Sequence, residues 1–166
     1  MLTVAGIDAS TTKTGISVMK DGKLIFYTLI DLHEDRDTTR RIKNMLLEIC
    51  KVLDQYDIDA VYMEKAFKMA NADTTIKLAN LSGGVILYCA QKDIEFNNPL
   101  PTEWRAKIGL QQSKKIKREV LKAEAIKAVK DEYGIDANDD VCESILICRS
   151  AFDLPKIDIT EDDLWN

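Results

Sequence analysis

Along the chain the apolar positions alternate between runs that suit strands and the spacing that suits helices. Residues 2–8, 14–19 and 23–30 are rich in β-branched and aromatic side chains, and Lys20-Asp21-Gly22 separates the last two runs. The spacing predicts a three-stranded meander. Over 35–56, Ile42, Met45, Leu46, Ile49 and Leu53 recur at the i, i+3, i+4, i+7 positions of an amphipathic helix. A short apolar run at 60–63 ends in Glu64, and a second helix is predicted over 73–91. Gly83-Gly84 inside it weakens local propensity or permits close packing. A strand follows at 94–97. After Pro99 and Pro101 come a short helix through Trp104, a long one over 113–132 and a last one over 139–152. The order βββαβαβααα is an α/β pattern.

At 166 residues, with 46% hydrophobic and 31% charged positions, the chain has the length and composition of one globular domain. No repeat is present, so solenoids, disordered chains and collagen-like chains are excluded. The longest uncharged apolar stretch, 78–90, is shorter than the roughly 20 residues of a membrane span. The N-terminus lacks a basic region before its apolar residues. The expectation is a protein of a bacterial-type cytoplasm without a membrane partner. Cys50, Cys89, Cys142 and Cys148 lack metal-site spacing and read as core thiols. Residues 1–152 are expected to form the domain, with 153–166 as a flexible acidic tail.

A net charge of -5 alone argues against a polyanionic partner, but its distribution argues for one. Between 101 and 130 stand Arg105, Lys107, Lys114, Lys115, Lys117, Arg118, Lys122, Lys127 and Lys130, opposed only by Glu103, Glu119 and Glu124. Phosphate contacts are local, so a concentrated patch matters more than the sum. On charge pattern alone a solvated helix face fits equally well.

Two carboxylates stand where strands are predicted to end: Asp8 closes VAGID and Glu64 closes AVYME. If those strands are parallel neighbours, both acids emerge at one carboxyl edge, where open α/β sheets place their sites. A third group, Asp139, Asp140 and Glu143, opens the last helix, and Asp140 and Glu143 share a face at i, i+3. Oxygen-only donors of this kind suit Mg²⁺ or Mn²⁺ rather than zinc. Singly, each acid could equally be a helix cap or a turn residue. Nucleophilic alternatives are few: His33 is the only histidine, and neither a G-x-S-x-G elbow nor a glycine-rich phosphate loop occurs.

Three segments together resemble the RuvC family of Holliday-junction resolvases in a compact, phage-like form: GIDASTTKTGISV at 6–18, VYMEKAFKMANADTTIKLANLSGGVI at 61–86 and DDVCESILI at 139–147. The resemblance spans about residues 1–152. It implies a ribonuclease-H-like fold, a five-stranded mixed β-sheet flanked by α-helices, working as a homodimer on four-way DNA junctions. By motif match Asp8, Glu64, Asp140 and Glu143 take the positions of the family's metal-binding carboxylates. Glu143 stands where bacterial members carry Asp, and Asp139 is a further candidate ligand. Phe67 matches the aromatic that probes the junction centre. The family's DNA-contacting lysines fall in the region of Arg105, Lys107, Lys114, Lys115, Lys117 and Arg118.

Two Mg²⁺ ions per site, with Mn²⁺ able to substitute, would activate water and stabilise the departing 3′ oxygen, leaving 5′-phosphate and 3′-hydroxyl ends. The D-x-S-T-T-x-T-G stretch also resembles the phosphate loop of sugar kinases, but those need two such domains and more chain. A related nuclease acting on RNA or other branched DNA, or a non-catalytic junction-binding protein, remains the alternative. Gathered acids repel one another unless a cation is present, which argues against the last.

Overall fold

The computed structural model describes residues 1–66, 72–110 and 116–159. Its centre is a five-stranded mixed sheet built from β1 (Thr3–Asp8), β2 (Lys13–Lys20), β3 (Lys23–Asp31), β4 (Ala60–Met63) and β5 (Glu95–Asn97), in the order β3-β2-β1-β4-β5. The first three strands are antiparallel neighbours, as the meander predicts, whereas β1–β4 and β4–β5 are parallel. Asp21 (φ 49°) and Gly22 (φ 78°) both adopt the left-handed region, which a two-residue hairpin turn between right-twisted strands requires.

Alternation along β1 sorts its side chains between two layers. Ala5 and Ile7 point to one face, where they pack with Met45, Ile49 and Leu53 of α1 (Thr38–Leu53) and Leu81, Val85 and Cys89 of α2 (Ala72–Lys92). Val4 points to the other, covered by α3 (Pro101–Ile108), α4 (Arg118–Tyr133) and α5 (Asp139–Arg149). Gly6 and Asp8 share its parity. Two glycines let α5 lie against the sheet backbone. A Cβ on Gly6 would stand 2.3 Å from the Ser144 carbonyl oxygen, and one on Gly15 would stand 2.0 Å from that of Asp140. In this close contact the Ser17 hydroxyl donates to the Ser144 carbonyl (2.9 Å) and the Cys148 thiol to that of Val4 (3.1 Å).

Several boundaries differ from the sequence-based expectation for local reasons. Helix α1 begins at Thr38 rather than 35, because Asp37 caps it by accepting from the Arg40 N–H (2.8 Å). Helix α3 runs past Trp104 to Ile108, opened by Pro101 and closed by Gly109 at φ 93°. Gly84 is filled by intramolecular packing, since a Cβ there would meet the Leu46 side chain at 2.5 Å, while Gly83 has nothing within 4 Å. The four cysteines carry free thiols, three of them buried. The expected flexible tail is corrected for residues 153–159. The Ile157 N–H donates to the Ile108 carbonyl (2.7 Å), Arg149 holds the Pro155 carbonyl (2.6 Å), and Ile157 and Ile159 pack on the α3–α4–α5 core. Among the described residues no helix is long and apolar enough to cross a membrane.

Candidate active site

Asp8 is the last residue of β1, and Glu64 follows the last residue of β4, its parallel neighbour in register from Val4 opposite Ala60 to Ile7 opposite Met63. Strand parity directs both toward the α5 face. The Glu64 N–H extends the ladder to the Ile7 carbonyl (3.2 Å), and Asn98 holds the Met63 carbonyl (2.6 Å). After Asp8 the chain turns tightly, because the Ser10 hydroxyl accepts from the N–H groups of Thr12 (3.0 Å) and Lys13 (3.1 Å). Helix α5 starts beside this edge with Asn138 as its cap, and its close approach at Gly15 carries Asp140 and Glu143 toward Asp8. Asp8, Glu64, Asp140 and Glu143 line one cleft of about 530 Å³, floored by Ala9 to Thr12 and bordered by Trp104, Arg105, Arg118 and Lys122.

Like charges crowded away from water disfavour ionisation. Desolvation, then the neighbouring Glu143, Glu64 and Asp140 charges, push Asp8 well above the ordinary carboxylate range. Glu64 is raised to about 7 by desolvation, against a lowering hydrogen bond from the Trp104 indole N–H (2.7 Å). Glu143 is raised by desolvation, opposed by Arg105, and it shares a hydrogen bond with Asp8. Asp140 is raised by desolvation and by Asp139. Asp139 behaves differently: desolvation raises it, but the Lys122 ammonium in contact with it outweighs this and holds the carboxyl below its usual value. Asp139 is thus engaged by a lysine, while Asp140 faces the cleft.

Among the described residues no three acidic, histidine or cysteine side chains already enclose a point where an ion would sit. Two of the acids have protein partners at the rim: the Trp104 indole N–H donates to Glu64 (2.7 Å), and the Arg105 guanidinium faces Glu143 at 3.6 Å. The donor chemistry still suits a hard divalent cation: four convergent carboxylates, all with raised affinity for a proton, face one cleft.

A sequence profile described as crossover junction endodeoxyribonuclease RuvC matches residues 4–148. The chain belongs to the RuvC family. Among family members, the RuvC of Dictyoglomus thermophilum is 28% identical over 152 residues, covering 89% of this chain and 94% of that protein. The RuvC of Hydrogenovibrio crunogenus is 27% identical over 109 residues, 63% of each chain. In three dimensions, Thermus thermophilus RuvC in complex with a Holliday junction substrate superposes with a TM-score of 0.73 over 90% of this chain and 92% of that one, at 16% identity. The fold is ribonuclease-H-like, as the resemblance implies.

The basic residues divide. Lys107, Lys117 and Arg118 are exposed, and Arg118 lines the cleft. Phe67, Lys114 and Lys115 lie outside the described residues. Arg105 is a correction. It is only 3% exposed, its guanidinium pairs with buried Glu124 (2.6 Å) and the Leu121 carbonyl (3.1 Å), and it faces Glu143 at 3.6 Å, so it is no surface phosphate contact. Trp104, which the sequence offered only as a helix residue, is the group bonded to Glu64. Counting charge does not reveal pairing, and nothing in the local pattern signalled either contact.

Proposed function

We propose that Asp8, Glu64, Asp140 and Glu143 hold two Mg²⁺ ions, for which Mn²⁺ substitutes, and that the chain, a crossover junction endodeoxyribonuclease, cuts four-way DNA junctions there. The observation that carries this is the convergence of four carboxylates from β1, β4 and α5 on one cleft with a cationic border. When bound, such ions activate a water for in-line attack and stabilise the leaving 3′ oxygen, giving 5′-phosphate and 3′-hydroxyl ends. The protein's own part is placement. The tight turn of Ala9 to Thr12 leaves the cleft floor open to a phosphodiester, Arg118 and Lys122 at its border favour the polyanion, and Lys107 and Lys117 extend the positive surface. Lys122 also keeps Asp139 out of the donor set.

One cleft hydrolyses one phosphodiester at a time, whereas resolution takes two cuts, so a symmetric homodimer places two clefts on opposed strands. The outward side of α2 supports this reading. Ile76, Gly83, Ile86, Leu87 and Ala90 are exposed along it, with Ile76 and Leu87 each 59% accessible. A DNA junction as substrate also fits a cytoplasmic location.

The decisive experiment incubates the protein with labelled four-way junction, duplex and single strand, with and without Mg²⁺. Paired nicks in the junction only with the ion are expected. Asp8→Asn and Glu64→Gln should bind the junction and leave it whole, whereas Asp139→Asn should keep most activity. Mg²⁺-dependent cutting by Asp8→Asn or Glu64→Gln overturns the assignment.

A further inference from the structure

Helix α3 is only eight residues long, and its outer surface carries Thr102, Glu103 and Lys107. Two of its three buried positions are adjacent, Trp104 (1% exposed) and Arg105 (3%), and both side chains end on carboxylates of the cleft. The indole ring packs in the α3–α4–α5 core and its Nε1–H donates to Glu64 Oε2 at 2.7 Å. The guanidinium lies 5.1 Å from the centre of that ring. One of its nitrogens, Nη2, reaches Glu124 and the Leu121 carbonyl on α4, and the other, Nη1, stands 3.6 Å from Glu143 Oε1 on α5. An ion pair serving α3–α4 packing alone needs only the Glu124 side. The rigid fork of arginine carries the same cation to an acid of the cleft as well.

We propose that Trp104 and Arg105 are positioning residues of the nuclease centre. The indole fixes Glu64 at the end of β4, the guanidinium fixes Glu143 on α5, and α3 thereby sets the spacing of the two carboxylates that receive the ions. The proposal rests on the metal-ligand role given to those acids above. Outer partners of metal ligands hold the ligand's orientation, and their loss typically costs 10- to 100-fold in metal affinity or activity.

The chain has two tryptophans, Trp104 and Trp165, so Trp165→Phe leaves Trp104 as the sole indole emitter. In that background, adding Mg²⁺ without DNA should change Trp104 emission along a saturable curve that matches calorimetric binding, and Glu64→Gln should remove the response. Trp104→Phe keeps a ring in the slot but no donor, and Arg105→Lys keeps the charge but not the fork. Each should weaken Mn²⁺ binding by about tenfold or more and lower kcat while leaving KM for the junction within about twofold.

Emission that ignores Mg²⁺ while calorimetry registers binding overturns the proposal, as does Mn²⁺ affinity unchanged in both variants. A raised KM with unchanged kcat in Arg105→Lys would make that residue a substrate contact instead. Asp8→Asn separates the two levels. If it binds Mn²⁺ as well as the unaltered chain does, the metal-ligand reading itself falls. If it loses binding while Trp104→Phe and Arg105→Lys keep it, only the positioning role falls. Should Trp104→Phe fail to fold, the emission titration still decides.

Discussion

The two sides of the sheet are built by different rules. On the α1–α2 side, β1 and β4 offer Ala5, Ile7, Val61 and Met63 to Met45, Ile49, Leu53, Leu81 and Val85, an apolar layer without a buried ion pair among the described residues. On the α3–α4–α5 side the strands offer Gly6, Gly15 and Ser17, and the buried residues include Arg105, Glu124, Ser144 and Arg149. Both sides exclude water with apolar bulk, but only the second also brings backbones together and buries charge. Burial of apolar area is tolerant of shape, whereas a charged cluster requires fixed distances. Both faces of the sheet are packed, but the cleft acids gather on one of them.

The sharpest test of that difference is Gly15→Ala. Its new methyl would fall 2.0 Å from the Asp140 carbonyl oxygen, so β2 and α5 must part and carry Asp140 and Glu143 away from Asp8. A displacement of about 1 Å at a reacting centre costs on the order of 100-fold in rate, and overpacking costs about 1–3 kcal/mol. Single-turnover cleavage and urea melts should register both, and full activity in this variant would break the comparison. Leu81→Ala, on the apolar side, should cost about 2–5 kcal/mol of stability while the folded fraction cuts at a rate within about twofold of the parent.

A third effect follows from protons. Glu64 titrates near 7 in the folded, metal-free protein, with Asp8 and Glu143 also raised. Between the ordinary carboxylate range and about 7, the folded state holds protons that the unfolded chain has released, so stability falls as pH rises, by up to about 1.4 kcal/mol per unit for each such proton. Thermal midpoints of metal-free protein should drop from pH 5 to 7.5, Mg²⁺ should restore them most at the upper end, and Glu64→Gln should flatten the slope. The smallest effect is that of Gly83→Ala. With nothing within 4 Å of the added methyl, it should gain about 0.5–1 kcal/mol of helix stability, while sedimentation shows a weakened dimer. An undisturbed dimer would move the interface away from the outer side of α2.

Much of this was legible because period and punctuation are local signals. Runs rich in β-branched and apolar residues placed Asp8 and Glu64 at strand ends, and the condition set for a shared edge, that the two strands be parallel neighbours, is met by β1 and β4. The spacing of Asp140 and Glu143 announced a shared face. What the sequence concealed depends on partners far along the chain. Arg105 looked like one more cation of a basic stretch until Glu124 and Glu143 surrounded it. Motif match put Asp140 ahead of Asp139 but did not reveal the Lys122 ammonium that engages Asp139. At 153–159 acidic composition hid Ile157 and Ile159, which anchor that segment to the core.

The docking of α5 on β1 and β2 also has a temporal meaning. Residues 139–149 close against residues 3–20, so the cluster unites positions separated by most of the polypeptide. Such distant pairing forms late, after loop closure has been accomplished. A ribosome that has released only the first 130 residues has made Asp8 and Glu64 but not the helix that completes their site. A nascent chain that stops short of α5 therefore lacks Asp140 and Glu143, two of the four acids that line the cleft.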